Sequence, residues 1–402
     1  MWGSSFLSTI GSWMQNVVLP VYVLDRTGST TLVGLTVFAQ LGPLLFLSIP
    51  AGVIADRFDR RRWLITMQLV QLAFSAALAP LAANDAPFWA IFLVALGVGC
   101  GNSLNAPGWA AMLPTLVARE DLPGSVSLSS MSLNASRVVG PIIVAILRQA
   151  DVAIADIFLI NAATYLFVVV ALMRTRIPRP VVRLRDSGVA ALMSGIRTVR
   201  AKPDLRRVIA TMLLFSLICL PYVGLLPVVA RENFGIAKGS TTYEWLYAAW
   251  GTGAALGALS VGTVFVGLDV RTLSRWALIA FSGFLSLFAL GTNEVWAFTV
   301  GPLLGFAYFT LTTSLSTIYQ SRLADHERGR AMSLWFMSFG GMVPMGNLLF
   351  APVMDVIGVR STLLLGAAFA VVLAWWCDIA RIDRRSAAIA PHFLSSAAPP
   401  SS

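Results

Sequence analysis

The sequence predicts an all-α membrane protein of twelve transmembrane helices in two six-helix bundles. Three observations carry this. Of the 402 residues, 57% are hydrophobic and only 12% charged, and mean hydropathy is +0.77. Soluble domains carry about 25% charged residues, and no soluble fold hides that much apolar surface. Apolar runs of about 20 residues recur along the chain, each long enough to cross a bilayer's hydrocarbon core. Segments of the first half also return in the second.

The expected spans are 4–24, 32–54, 63–83, 87–108, 124–147, 152–173, 207–230, 243–267, 273–291, 294–317, 330–354 and 360–380. Short polar turns separate most of them, such as "NDAP" (84–87), "RQADVA" (148–153) and "DVIGVR" (355–360). The first run opens almost at Met1 without a basic n-region or an A-x-A site, so no cleaved signal peptide is expected. The exception among the connections is long and basic, from Arg174 to Arg207. The expected organisation is an N-terminal six-helix bundle (1–175), a cytoplasmic linker (176–206), a C-terminal six-helix bundle (207–385) and a disordered tail (386–402). In the linker, Val189, Leu192, Met193, Ile196 and Val199 share one helical face, predicting an amphipathic helix on the inner leaflet.

Net charge is +10, yet its distribution follows topology. With both termini on one side, 23 of the 29 Lys and Arg residues fall on that side and 5 on the other. Excess Lys and Arg mark the cytoplasmic face, so both termini are expected in the cytoplasm and no nucleic-acid partner is needed. Cys100, Cys219 and Cys377 lie in apolar runs without disulfide or metal-ligand spacing and are expected to be core thiols. Gly97, Gly99 and Gly101 lie inside a span, where they serve helix packing rather than phosphate binding. No catalytic, cofactor-binding or metal-ligating constellation is evident, so no enzyme is expected.

The halves align by a nearly constant shift. "VVLPVYV" (17–23) returns as "GLLPVVA" (224–230) at 207 residues, and "REDLPGSVSL" (119–128) faces "DHERGRAMSL" (325–334) at 206. "GVIADRFDRRR" (52–62) follows span two. Asp56, beside four bases where a helix leaves the membrane, can latch neighbouring helices or cap a helix N-terminus. Gly52, Asp56, Arg57, Arg60 and Arg61 fit the loop motif of the major facilitator superfamily, which the chain resembles over about residues 4–385. Asp59 stands where that motif has its second glycine. "GSWMQNVVLPVYVLDRTGS", "MLPTLVAREDLPGSVSL" and "RGRAMSLWFMSFGGMVPMG" narrow the resemblance to the enterobactin-exporter-like branch, bacterial exporters of siderophores and hydrophobic drugs.

The resemblance implies a secondary transporter of a bacterial-type inner membrane, moving a small molecule outward by alternating access of two bundles, with a proton as coupling ion. A monomer is expected. Helices 1, 4, 7 and 10 would line the cavity, offering Gln15, Asn16, Tyr22, Asn102, Asn105, Trp109, Tyr222, Tyr308, Thr312, Tyr319 and Gln320. The same residues also suit interhelical hydrogen bonds, each worth about 0.6 kcal/mol. An importer with the same fold is the alternative. A membrane scaffold or sensor is a remote one, since no added soluble domain of about 50 residues or more is present.

Span five holds "NASRVVGP", 134–141. Arg137 lies about 13 residues in, roughly 20 Å along the axis, where a guanidinium costs at least about 2.5 kcal/mol. Gly140 and Pro141 match the centre of the helix-five motif of family drug antiporters, while Ser136, Val144 and Ala145 depart from it. Pro141 leaves a backbone carbonyl without its donor. Two readings of Arg137 stay open: it faces the cavity and attracts anionic cargo, or it ties helix five to carbonyls or to amides such as Asn16, Gln40 or Asn161. Arg137 cannot carry the coupling proton, because guanidinium stays protonated. Asp25 and Glu244, both near span ends, are the candidates for that role.

Overall fold

The computed structural model describes residues 1–47, 50, 58–116, 121–175 and 189–377. All regular structure among them is helical. The helices are α1 (Trp2–Thr27), α2 (Thr30–Leu41), α3 (Arg60–Ala83), α4 (Phe88–Leu116), α5 (Leu122–Gln149), α6 (Ile154–Arg174), α7 (Val189–Ala201), α8 (Pro203–Leu214), α9 (Pro221–Gly224), α10 (Leu226–Phe234), α11 (Thr242–Gly262), α12 (Val270–Leu290), α13 (Glu294–Ser321), α14 (Asp325–Phe336), α15 (Met342–Ile357) and α16 (Val359–Trp376). Two π-turns, Phe215–Cys219 and Met337–Gly341, join α8 to α9 and α14 to α15.

Helix starts carry their own signals. Ser29, Asp59 and Asn293 cap α2, α3 and α13 by accepting from the backbone N–H of Leu32, Arg62 and Trp296. Asp59, which replaces the motif's second glycine, therefore has a role of its own as an N-cap. Gly28 and Gly235 end α1 and α10 at φ 65° and 67°, a conformation that glycine adopts without steric cost.

Nine helical stretches among the described residues are long and apolar enough to cross a membrane. Expected spans one, seven and eight are helical too, as α1, α8–α10 and α11, but are not among the nine. The reasons differ: Ser8, Thr9, Ser12, Gln15 and Asn16 dilute the hydropathy of α1, the helical stretch of span seven is interrupted at Leu220, and α11 is rich in glycine, tyrosine and tryptophan rather than in aliphatic residues.

Helices α1 to α6 pack on one another as an N-terminal set, and α8 to α16 as a C-terminal set. The sets meet mainly along two seams, α2 against α15 and α5 against α11. At one end lie the Arg61 turn, α7 and the start of α14, called here the basic end. The opposite, far end holds Arg26, Arg148 and Arg231. Helix α7 packs on α14 and α8, burying Gly195 and Val199 and exposing Arg197 and Arg200. Of the predicted apolar face, Val199 packs against protein, while Met193 is exposed and Ile196 half-buried. Lys202–Glu327 and Arg322–Asp204 ion pairs, at 2.7 and 3.2 Å, hold this corner.

Lipid tails are as apolar as leucine, so helices associate here by close packing of small residues. A Cβ at Gly253 would stand 1.9 Å from the Pro302 carbonyl oxygen, and one at Gly257 2.2 Å from that of Phe306. Gly305 answers from α13, its Cβ position 2.3 Å from the Trp250 carbonyl. The expected packing role of the glycines on α4 is also seen. A Cβ at Gly99 would meet the Ala39 carbonyl at 2.3 Å, and Gly97 and Gly101 abut Phe74 and Gln71. Cys219 and Cys377 are buried and Cys100 is partly buried, and none of the three is in a disulfide with another described residue.

The α11–α13 contact yields a prediction. Gly257→Leu should destabilise the protein by about 1–3 kcal/mol or more through overpacking, seen as a lower thermal unfolding midpoint in detergent. Gly283→Ala on α12, where nothing lies within 4 Å, should leave that midpoint unchanged.

Candidate functional site

Arg137 sits where the two sets face each other. Its guanidinium carbon lies 5.1 Å from the ring centroid of Trp13 on α1, 5.1 Å from that of Phe309 on α13 and 6.0 Å from that of Phe339 in the second π-turn. One ring comes from its own set and two from the other. No side chain or carbonyl among the described residues accepts a hydrogen bond from this guanidinium, and its Nε is buried without a partner. A desolvated cation–π contact contributes about 2 kcal/mol. Three such faces are of the size needed to offset the roughly 2.5–3.5 kcal/mol cost of an arginine at the centre of a membrane helix.

The backbone explains how the rings reach it. A Cβ at Gly140 would lie 2.8 Å from Trp13 Cβ, so only glycine lets α5 approach α1 this closely. Pro141 frees the carbonyl of the residue four before it, Arg137. That carbonyl meets α11: a Cβ at Gly251 would stand 3.3 Å from its oxygen. The helix-five motif therefore serves close packing on both sides of Arg137, and the freed carbonyl faces a neighbouring backbone rather than the guanidinium.

Neither sequence reading of Arg137 foresaw this. Two of the three suggested amides are engaged elsewhere. Asn161 donates to Gln15 Oε1 at 2.7 Å and to Ser75 at 3.0 Å, and Gln40 donates to the Gln15 carbonyl at 3.3 Å. Asn16 is half-buried.

Behind the cage runs a row of rings. Tyr319 stacks on Trp335 at 5.7 Å, Trp335 on Phe339 at 6.5 Å, Phe339 on Tyr308 at 6.4 Å and Tyr308 on Trp250 at 6.0 Å. Phe339 owes its place in this row to the π-turn, a device frequent at functional sites.

The residues expected to line a cavity divide. Gln15 is buried among α1, α3 and α6, accepting from Ser75 at 2.8 Å and from Asn161. Tyr22 donates to the Ala82 carbonyl at 3.3 Å toward the far end. Trp109 packs against the Leu64, Met112, Val168 and Leu172 cluster. Tyr222 is buried and accepts from Trp250 Nε1 at 3.1 Å, and Tyr319 donates to the Ala331 carbonyl at 2.8 Å. Thr312 donates to the Phe309 carbonyl at 3.3 Å. These six make their polar or packing contacts within one set, and Tyr22 and Tyr222 also border small cavities there. A polar group on a membrane helix reads alike from sequence whether it faces a cavity or a neighbouring helix. Asn102 and Gln320 are exposed, and Asn105 is half-buried with its Oδ1 unpartnered. Tyr308 is buried directly behind the cage.

At the far end the sets are tied by charge. Arg148 on α5 pairs with Glu244 on α11 at 3.3 Å and donates to the Gly239 carbonyl at 2.9 Å. The Glu244 side chain is 0% exposed and its Oε2 has no partner. Arg231 on α10 pairs with Asp25 on α1 and donates to the Leu24 carbonyl. Thr31 donates to Asp355 at 2.9 Å. Both acids proposed for proton coupling thus sit in ties between the sets. Of the loop motif, Gly52, Asp56 and Arg57 lie outside the described residues, and Arg60 starts α3. Arg61 donates to the Met173 carbonyl within the N-terminal set. Asn134 is half-buried one turn before Arg137.

Trp13, Phe309, Phe339, Arg148 and Arg231 were missed from the sequence. The repeat did not reveal the pair: the 207-residue shift of this segment places Asp25 opposite Glu232, one residue past Arg231.

The comparisons agree with this architecture. A family model described as transmembrane secretion effector matches residues 1–393. The staphyloferrin A transporter of Staphylococcus aureus is 26% identical over 382 residues, covering 89% of this chain and 90% of that protein. The enterobactin exporter EntS of Shigella boydii is 26% identical over 338 residues, covering 82% and 78%. Among solved structures, the nucleoside transporter NupG superimposes with a TM-score of 0.72 at 12% identity, over 94% of this chain and 96% of that one. A bacterial homolog of the human lysosomal transporter Spinster, inward-facing and occupied, gives 0.72 at 15% identity, over 94% and 96%. At such identities the structural likeness shows the fold alone. The family and its curated relatives are transporters, not enzymes. With helices of spanning length and a family match along nearly the whole chain, this protein belongs to the transmembrane secretion effector family of the major facilitator superfamily.

Proposed function

We propose that the protein is a secondary active exporter of a bacterial cytoplasmic membrane. It moves a small hydrophobic or amphipathic compound, a drug or siderophore, outward by alternating access. In this reading α1–α6 and α8–α16 are two six-helix bundles, the basic end is cytoplasmic, and a single copy suffices. The observation that carries it is the joint between the sets. Three polar ties close the far end, while a charged and aromatic site lies between the sets at mid-depth. A closed far end with an inner site is one of the two states that alternating access requires. Outward direction draws its support from the enterobactin exporter among the relatives. Proton coupling draws its support from Asp25 and Glu244, carboxylates whose protonation would release their arginine partners.

Transport in proteoliposomes tests the reading. In inside-out oriented vesicles, an imposed inward-acid gradient should drive hydrophobic dye or siderophore into the lumen. Indifference to the gradient contradicts proton coupling, and movement only in the opposite orientation supports import instead. A second experiment addresses the far end. Oxidising Thr31→Cys with Asp355→Cys, in a background lacking the three native thiols, should stop transport, and reduction should restore it. The ties also affect stability. Removing one member of a buried ion pair costs about 3–5 kcal/mol. Arg148→Met should lower the thermal midpoint, and adding Glu244→Leu should recover most of the loss.

A further inference from the structure

We infer that the Arg137 cage is a binding site for an anionic group carried on an aromatic ring, such as an aryl carboxylate. This rests on the reading of the inter-set site as the transport site and gives it a substrate class. Two independent features of the cage lead there.

The first is an unmet demand for an acceptor. A guanidinium carries five N–H donors in a planar fork that matches a carboxylate. At Arg137 none of them has an acceptor among the described residues, and Nε is buried and orphaned. Buried polar groups in native proteins are nearly always hydrogen-bonded, and the exceptions call for a reason such as a missing ligand. The far-end arginines show the contrast, since Arg148 and Arg231 each hold a carboxylate and a carbonyl.

The second is the kind of surface around that demand. Trp13, Arg137 and Phe339 are each partly exposed, whereas Phe309 and Tyr308 are buried behind them. A compound that enters between the sets at this level would meet two aromatic faces and a guanidinium edge together. A ring fits against Trp13 or Phe339 and its anionic oxygen reaches the Arg137 donors. An aliphatic polyacid satisfies only the charge, and a neutral ring only the faces. Because Phe309 and Phe339 belong to the other set, an anion that draws the guanidinium toward itself weakens a contact between the sets, which links occupancy to their separation.

The test uses the purified full chain in nanodiscs with 2-naphthoate, its neutral isostere 2-naphthamide and the aliphatic acid tricarballylate, read by tryptophan-to-naphthyl energy transfer or, for tricarballylate, by calorimetry. Naphthoate should bind at least about 10-fold more tightly than either comparison, as loss of one charge-assisted interaction implies. Arg137→Gln should abolish the preference for acid over amide, while Arg137→Lys retains part of it. Phe339→Leu should weaken both naphthyl compounds and leave tricarballylate unchanged. Should Arg137→Gln not fold, the Arg137→Lys and Phe339→Leu arms decide. Equal binding of acid and amide, an unchanged preference in Arg137→Gln, or tricarballylate binding as tightly as naphthoate would overturn the inference. Equilibrium binding carries no direction. Naphthoate bound selectively by a protein that moves nothing outward would contradict the export reading alone.

Discussion

A guanidinium keeps its charge at any cellular pH, so a helix that carries one deep into an apolar bundle must bring partners to it. This constraint organises the middle of the molecule. The charge of Arg137 is met by π-faces rather than by carboxylates, and two of the three faces lie across the joint between the helix sets. Gly140 admits Trp13, Gly251 admits the Arg137 carbonyl, and the π-turn sets Phe339. Local backbone choices on α5, on α11 and in the π-turn thus converge on one side chain. Cation–π contacts are individually modest, and they place few directional demands on the guanidinium compared with a bidentate carboxylate. That suits a group which holds two sets together in one state and lets them part in another.

The far end uses the opposite chemistry. There the charges are paired with opposite charges, and the more deeply buried pair, Arg148 and Glu244, leaves one carboxylate oxygen unsatisfied. Such a pair is strained toward release, because burial penalises both ions while the geometry repays only part of the cost. The titratable groups of the joint therefore lie at its closed end, and the permanent charge lies at its centre. In the proposed function, proton coupling and recognition of cargo would fall to different residues, joined by helices α1, α5 and α11 between them.

The fold was largely legible in the sequence because lipid imposes a simple rule: long apolar runs form helices, and turns carry the charge. Spans one, seven and eight kept their helical reading although Gln15 and Asn16 dilute the first, a break at Leu220 interrupts the second and glycines and aromatics replace aliphatic residues in the third. The site was less legible. Arg137 stood out because nothing near it in sequence explains it. Its partners did not, because Trp13, Phe309 and Phe339 are ordinary residues of membrane helices, and their meeting is a property of packing between distant segments. Gln15 and Tyr222 show what polarity alone leaves open: in this state theirs is engaged inside one set, with Asn161, Ser75 and Trp250. Arg148 and Arg231 were read as loop charges because counting charge by side ignores which of them face an acid.

The central claim is that the closed far end is one of two states exchanged during transport. Distances between spin labels report this directly. One labelled pair, at Ala150 and Glu294, spans the exposed far end of the two sets, and another, at Arg62 and Ser321, spans the basic end. With cargo and under acidification, the far-end distance should lengthen in a second population while the basic-end distance shortens. A single far-end distance that never changes under any of these conditions, in a protein that still transports, would contradict the account.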